Sequence, residues 1–531
     1  MTGAIAKGRV LEGRRDLIAF SAGCVAVTVG VLLHLPMFVM GRDMGYQLAG
    51  MPMDPAMIWG MALIVGGVIL ASYGVLPKKQ SAQAPADVAV TPPEDAPLTA
   101  AHALLMVVLV VALVIDVMKP ASLGFVVPGM IKEYQVSKAT VAWLPFAALT
   151  GTAVGSVVWG LLADLYGRKA SILLSAIIFV GTSICGAMPS LWWNVGMCFL
   201  MGAAAGGMLP VTYALLAETM PSRHRGWTLV LVGGLGSVGG YLLASSLSAV
   251  LQPMFGWRIM WFLNLPTGLL LIFLGAFIPE SAKFLMMLGR TAEAHETLKR
   301  YGSVVTELPA ELTPHGSAVP APPVAGGLAG KTIALTVTGI AWGLINFGLL
   351  LWLPNDLVGK GYSMALSSRL LAQSALIALP TVFIGTLMYS RWSSKWSLAA
   401  MIVVTGLGLA GVLNLAAAGA GASPVLPVAL LIVGVNGIVA ILLPYAAESY
   451  PLRVRGRATG WVAGCTKAGG LIAQVLGICA AVPPLGVAAA AIMVPVAVSL
   501  ALVAVFGTET RGHDLRELDG PVRLTPRRRP A

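Results

Sequence analysis

The chain has 531 residues, 57% of them hydrophobic and only 11% charged, with a mean hydropathy of +0.85. That leaves too little polar surface to cover a water-soluble globule of this size, so the composition reads as a polytopic membrane protein. The net charge of +12 does not call for nucleic acid, because basic residues gather in the segments between apolar runs, where they fix orientation.

A helix crossing the hydrocarbon core needs roughly 20 apolar residues. About fourteen runs meet this length, near 17–40, 56–76, 101–129, 140–162, 170–188, 191–217, 227–251, 257–278, 332–354, 368–389, 397–418, 424–446, 458–482 and 486–507. None alternates as a barrel strand does, which excludes a β-barrel. The fold class is therefore all-α. The five cysteines, Cys24, Cys185, Cys198, Cys465 and Cys479, all fall inside apolar runs and imply neither a disulfide framework nor a metal site.

The first run follows Arg14, Arg15 and Asp16 and reads as a retained helix rather than a signal peptide. With the second run it makes an N-terminal extension, residues 1–80, joined by the linker 81–99 to twelve further helices. The connection "GRDMGYQLAGMPMD" at 41–54 is assigned no function. If the N-terminus is cytoplasmic, most of the lysines and arginines fall on cytoplasmic segments. Both termini are then inside and the chain resides in a plasma membrane, a bacterial inner membrane being the expected one.

The run at 107–129 carries Asp116, Lys119 and Pro120 in its middle. A charge at mid-bilayer costs about 2.5–3.5 kcal/mol on insertion scales, so such residues usually face a cavity and act there. Asp116 and Lys119, at i and i+3, share a helix face and can neutralise each other as a structural ion pair. The functional reading makes Asp116 a proton site: burial disfavours its charge, a nearby cation favours it, and exposure to alternate sides changes the balance. Pro120 bends the helix and frees backbone carbonyls that a cavity or neighbouring helices must satisfy.

Between the second and third of the twelve lies "GLLADLYGRKA", 160–170. Gly160 and Gly167 allow a tight turn and close helix approach, Asp164 can accept from a helix N-terminus or an arginine, and Arg168 with Lys169 fixes the loop on one side. These are the parts of a gate latch. Further on, "AETMPSRHRGW" at 217–227 recurs as "AESYPLRVRG" at 447–456, so that Glu218, Pro221, Arg225 and Gly226 match Glu448, Pro451, Arg455 and Gly456 at a constant offset of 230 residues. A looser echo links "IPESAKFL" at 278–285 with "FGTETRGHDLREL" at 506–518. The repeat divides the chain into a six-helix half at 100–278, a central loop at 279–330, a second half at 331–508 and a basic tail at 509–531. Two six-helix halves around a cavity are how many secondary transporters are built. The "RRR" at 527–529 reads as a topology signal or a lipid contact.

Lys467, in "GWVAGCTKAGGLIAQ", lies about ten residues into its helix, roughly 15 Å at 1.5 Å per residue and so near the midplane. Snorkelling cannot easily reach either surface from there. If Asp116 pairs with Lys119, Lys467 is a cation awaiting an anionic substrate; otherwise it pairs with Asp116 across the halves. Neutral groups complete a candidate cavity: Tyr213, Asn346, Trp342, Gln373, Asn436, Tyr445 and Gln474.

The gate loop resembles the signature loop of the major facilitator superfamily. The Glu-x-x-Pro-x-x-x-Arg-Gly pair and the "PES" and "ET-x-G-x-x-L" elements are similar to its sugar-porter and organic-ion branches, over roughly residues 97–518. The resemblance implies two six-helix halves, here preceded by two extra helices. It also implies a cytoplasmic charge network of Asp164, Arg168, Glu218, Arg225, Glu448 and Arg455 that breaks as the halves rock. Helices one, four, seven and ten of the twelve then line the cavity, which favours Asn346 and Asn436. Three places depart from the family pattern. The second-half gate loop "GTLMYSRWSSKW" has Tyr389 in place of the acid, Cys198 stands where many members have arginine, and "GGLGSVGG" at 233–240 lacks the proline of antiporters.

The resulting reading is a proton-coupled symporter of a small organic anion working by alternating access, with Asp116 as proton site and Lys119 and Lys467 as anion ligands. Its partners are the small-molecule substrate, H+ and membrane lipid, with no nucleic acid. A sugar or polyol symporter, an exporter of drugs or metabolites, and a non-transporting sensor or scaffold are the alternatives. No phosphate-cradling loop, metal-ligand spacing or nucleophile elbow points to an enzyme, and no cofactor is expected.

Overall fold

In the computed structural model of the chain, residues 14–76, 88–90, 97–287, 290–302, 305–307, 328–418, 423–450, 452–481 and 483–510 are described. Among these residues the apolar runs are helices, twelve of them long and apolar enough to cross a bilayer and two shorter. In chain order they are α1 (Arg14–Met44), α2 (Pro55–Val75), α3 (Ala100–Tyr134), α4 (Lys138–Ala163), α5 (Arg168–Ala187), α6 (Leu191–Ala205), α7 (Arg223–Phe255) and α8 (Ile259–Leu274). The second set is α9 (Leu328–Gly359), α10 (Met364–Trp392), α11 (Ser394–Leu415), α12 (Val425–Ser449), α13 (Ala458–Ile478) and α14 (Leu485–Phe506). Beyond Gly206 and Gly207, the path of α6 continues as a second helix, Met208–Thr219. The departure from all-α among the described residues is one antiparallel pair of three-residue strands, Val88–Val90 with Val305–Glu307.

Helix starts follow local chemistry. Asp54 accepts from Ala56 N at 2.8 Å with Pro55 as the first residue of α2, and Ser363 accepts from Leu366 N at 3.2 Å ahead of α10. Because lipid is as apolar as leucine, helix pairing relies on close backbone approach at small residues. A Cβ at Gly23 of α1 would lie 2.6 Å from the Gly67 carbonyl of α2, and one at Gly30 would lie 2.6 Å from the Gly60 carbonyl. This tight hairpin leans on α5, where Phe20, Val27 and Val31 join one buried cluster with Leu173, Leu174 and Ile177.

The α1–α2 connection is docked. Leu48 N and Ala49 N donate to Glu133 Oε1 at 2.6 and 3.0 Å, and Gly50 N donates to the Pro189 carbonyl at 3.1 Å. Glu133 is in turn 2.7 Å from the fully buried Arg258 guanidinium and accepts from Trp257 Nε1 at 2.7 Å.

Helices α3–α8 and α9–α14 form two six-helix sets that meet through α7 with α10 and α12, α4 with α13, and the end of α9 with α3. The sets touch on both sides of the middle. On one side Lys138 faces Asp356 at 3.4 Å and Ser248 meets Ser368 at 2.8 Å. On the other, Glu448 lies over Gly226. The repeat is visible in the bonds as well: His102 Nε2 lies 3.1 Å from the Thr219 carbonyl that ends the first set's fourth helix, and Lys331 donates to the Ser449 carbonyl, 2.9 Å, that ends α12.

Candidate functional site

Between the two sets lies a cavity of about 50 Å³, measured as the space open to the centre of a water molecule. That holds a few waters. Its α3 wall includes Val117, Pro120, Ala121 and Gly124, with Phe125 beside them, and its α9 wall includes Phe347, Leu350, Leu351 and Pro354. These four residues of each wall match in pairs at an offset of 230 positions, so the repeat read from the gate loops also appears in the register of the cavity. Ser237 and Tyr241 of α7, Asn346 of α9 and Asn436 of α12 supply the polar lining.

The α9 wall is shaped by a π-helical stretch, Leu344–Leu350, a feature found often at functional sites because it re-aims side chains. Gln474 of α13 serves this stretch: its Nε2 donates to the Phe347 carbonyl at 2.5 Å, and its Oε1 accepts from Trp352 Nε1 at 3.3 Å. Gln474 is thus spent on backbone support. Tyr213 likewise lies away from the cavity, its hydroxyl pressed on Gly233 within the first set. Asn436 Nδ2 donates to the Ile432 carbonyl at 2.9 Å, which leaves its oxygen for the cavity.

Pro120 lacks the N–H that would bond the Asp116 carbonyl, so α3 loosens where its charges sit. Asp116 is 7% exposed and lies 3.6 Å from Lys119 Nζ. Lys119 is 3% exposed, and its ammonium sits 3.2 Å from the centroid of the Phe179 ring on α5. It therefore turns toward the interior of the first set and is held by a cation–π contact. Lys467 does the opposite. Its Nζ is 5.5 Å from the centroid of Phe347, a cavity residue, and it lies within electrostatic reach of Asp116. Among the described residues no carboxylate comes within 4.0 Å of it. Lys467 stands 230 positions from Ser237, which lines the cavity from α7, and that offset was a sequence signal for its placement.

At the end bearing the gate loop, Gly167 has φ 101°, which disfavours any side chain, and a Cβ there would run into the Glu280 carboxylate. Gly160, by contrast, has open space where a Cβ would be. Arg168 N donates to Glu280 Oε1 at 2.8 Å, Arg168 Nη2 donates to Glu218 Oε1 at 3.1 Å, and the Lys169 amide also faces Glu280. Burial pushes the Glu280 carboxyl above its ordinary range, against the pull of these amides and the Arg168 charge. In the second set Tyr389 donates to Glu448 Oε2 at 2.5 Å and Thr510 Oγ1 to the same oxygen at 2.9 Å. Glu509 accepts from Ser394 N at 2.9 Å at the start of α11, as Glu280 does from Arg168 N at the start of α5. Arg225 lies in the first turn of α7 beside Gly226, over which Glu448 rests. The side chains of Asp164 and Arg455 lie outside the described residues. Glu280 and Glu509 are the carboxylates at this end that loop reading passed over, although the "PES" and "ET" echoes marked them.

Comparison with known proteins fits this construction. The niacin transporter NiaP of Acinetobacter baylyi is 26% identical over 405 residues, covering 72% of this chain and 88% of its own. The 4-hydroxybenzoate transporter PcaK of Pseudomonas putida is 30% identical over 384 residues, covering 67% and 81%. The gentisate transporter of Corynebacterium glutamicum is 25% identical over 360 residues, covering 66% and 75%. Among solved structures, the proton:xylose symporter XylE bound to 6-bromo-6-deoxy-D-glucose superposes with a TM-score of 0.63 at 16% identity, over 79% of this chain and 98% of that one, which establishes a shared fold. The family model described as Major Facilitator Superfamily matches residues 104–474, from the start of α3 into α13. With two six-helix sets, a cavity between them and a model match over most of its length, this integral membrane protein belongs to the Major Facilitator Superfamily and is a transporter.

Proposed function

We propose that the chain carries a monocyclic aromatic carboxylate across the membrane together with a proton, by alternating access at the cavity between the two sets. The observation that carries this is Lys467: a cation beside the ring of Phe347, with no carboxylate within 4.0 Å among the described residues. A cation near the membrane midplane without a close partner is costly unless an anion joins it. The aromatic rings Phe125, Tyr241 and Phe347 around the same space suit a flat ring. Relatives named for niacin, 4-hydroxybenzoate and gentisate support that substrate class.

In this reading Asp116 is the proton site. Substrate on Lys467 removes the nearby cation's help to the Asp116 carboxylate, so anion binding favours proton uptake and the two cargoes travel together. Asn346 and Asn436 orient the bound ring, and Lys119 holds Asp116 in place from the α5 side. Both termini are cytoplasmic, and the cluster of Arg168, Glu218, Glu280, Arg225 and Glu448 is the cytoplasmic gate, with Asp164 and Arg455 as further members by resemblance. The chain is a carrier and performs no covalent chemistry.

The test is uptake into proteoliposomes of labelled 4-hydroxybenzoate under an imposed inward proton gradient. Accumulation that collapses with a protonophore and is lost in Lys467→Met supports the proposal. Uptake of xylose in place of the acid, or uptake of the acid indifferent to the proton gradient, sinks it.

A further inference from the structure

The α7 wall of the cavity carries a group that no pairing above uses. Tyr241 lies one helical turn past Ser237, so both face the same space. Its hydroxyl is buried and has no hydrogen-bond partner among the described residues. Buried hydroxyls almost always find partners, and one left idle in a cavity wall is a donor and acceptor waiting for a ligand. The ring is held in place, packed on Phe125 with centroids 5.9 Å apart and planes at 55°. Its hydroxyl is therefore presented at a fixed point.

We propose that Tyr241 Oη hydrogen-bonds a second, uncharged polar atom on the ring of the bound aromatic acid, a ring hydroxyl or a ring nitrogen, and thereby selects which substituted acids the carrier accepts. This rests on the aromatic-carboxylate reading above. The division of labour follows from charge. A carboxylate gains most from the Lys467 ammonium, whereas a neutral phenol matches an uncharged partner that can both donate and accept. Phe347 and Phe125 cover the apolar faces of the ring between these two ends, and they distinguish acids by flatness but not by substituent. Only a fixed polar group can reject an analogue lacking the matching atom, because the analogue leaves that group buried and unpaired.

The experiment is equilibrium binding of benzoate, 4-hydroxybenzoate and nicotinate to the full-length protein in detergent, for wild type and Tyr241→Phe. The substitution keeps the ring and its packing on Phe125 and removes only the hydroxyl. Wild type is expected to prefer 4-hydroxybenzoate, nicotinate or both over benzoate by about 10- to 100-fold, the range of one well-placed buried hydrogen bond. In Tyr241→Phe the preference is expected to fall to within about 2-fold of unity through weaker binding of the substituted acid, with benzoate unchanged. Which of the two acids loses affinity identifies the ring atom. A wild type without preference, or a preference that survives in Tyr241→Phe while the acids still bind, overturns the assignment of Tyr241 and leaves the substrate class standing. Failure of all three acids to bind wild type overturns both.

Discussion

The Arg258 guanidinium and the Glu133 carboxylate lie 2.7 Å apart with side chains 0% and 4% exposed, at the end of the first set opposite the gate loop. The pair is extended by hydrogen bonds from Arg258 to the Gly186 and Met188 carbonyls and from Trp257 to Glu133. The α1–α2 connection, through Leu48 N and Ala49 N, completes it. A segment that precedes the two six-helix sets is thus wired into a buried ion pair of the first. Breaking such a pair by removing one partner costs about 3–5 kcal/mol, since the other charge stays buried. Arg258→Met is expected to lower the melting temperature sharply. Glu133→Gln, which keeps an acceptor for the two amides, is expected to cost less, and Glu133→Ala is expected to expose residues 41–54 to proteolysis. Equal protection of that segment in Glu133→Ala and wild type would show that the connection is held by something else.

Two glycines set how closely the halves approach, one at each end. A Cβ at Gly124 would meet the Leu351 carbonyl at 2.5 Å, so Gly124→Ala must separate α3 from α9. A Cβ at Gly226 would meet Glu448 Oε1 at 2.8 Å, the tip of a side chain that can swing aside, so Gly226→Ala strains the opposite end less. A bias of about 1.4 kcal/mol changes the ratio of two conformers tenfold. Gly124→Ala is expected to raise labelling of a reporter cysteine near Asp356, and Gly226→Ala to raise labelling near Ser390 by a smaller factor. The same response from both variants would mean general loosening rather than a rocking equilibrium.

Glu280 gives a pH signature. Its folded-state carboxyl is shifted above the ordinary carboxylate range, mainly by burial. The folded protein therefore binds this proton at a pH where the unfolded chain has lost it. The sign follows: the contribution of Glu280 to stability is greatest below the unfolded value and declines as pH rises through the folded one. Glu280→Gln is expected to flatten that decline in melting curves taken just above the usual carboxylate range. An unchanged pH slope would mean that the amides of Arg168, Lys169 and Ser281 already hold the ionised form at no net cost.

Much of this architecture was legible from the chain. The apolar runs and the half-repeat follow from hydropathy and from the match of Glu218 and Arg225 with Glu448 and Arg455, while most of the linker 81–99 lies outside the described residues. The charged middle of α3 was legible too, and Pro120 and Gly124 do face the cavity. What hydropathy could not give was azimuth. Lys119 and Lys467 both read as anion ligands in apolar helices, yet one rests on Phe179 in the interior of the first set and the other lies beside Phe347, a residue of the cavity wall. Gln474 read as a ligand because the π-helical stretch in α9, whose Phe347 carbonyl it serves, leaves no mark in composition. Tyr241 escaped notice because a tyrosine in an apolar helix is unremarkable until its hydroxyl is seen without a partner. The 230-residue offset would have supplied part of the missing azimuth, since it equates Lys467 with Ser237 and Asp116 with Asn346.

The two lysines can be told apart by crossing stability with binding. Lys119 is buried against Phe179 and stands 3.6 Å from Asp116. Lys119→Met therefore leaves Asp116 without its near cation and is expected to destabilise the fold by about 3–5 kcal/mol, while a protein rescued by low temperature still binds the acid. Lys467→Met removes a cation that lies 5.5 Å from the centroid of Phe347 and has no carboxylate within 4.0 Å among the described residues. It is expected to leave the melting temperature of the ligand-free protein close to wild type and to abolish the shift that a saturating aromatic acid produces, a shift worth about 2.7 kcal/mol at 100 times Kd. Asp116→Asn should then bind the acid with an affinity that no longer varies between pH 5 and 8. If the melting temperature falls in Lys467→Met and the ligand shift vanishes in Lys119→Met, the roles are exchanged: the anion lies against α5, and Lys467 is the structural partner of Asp116 across the halves.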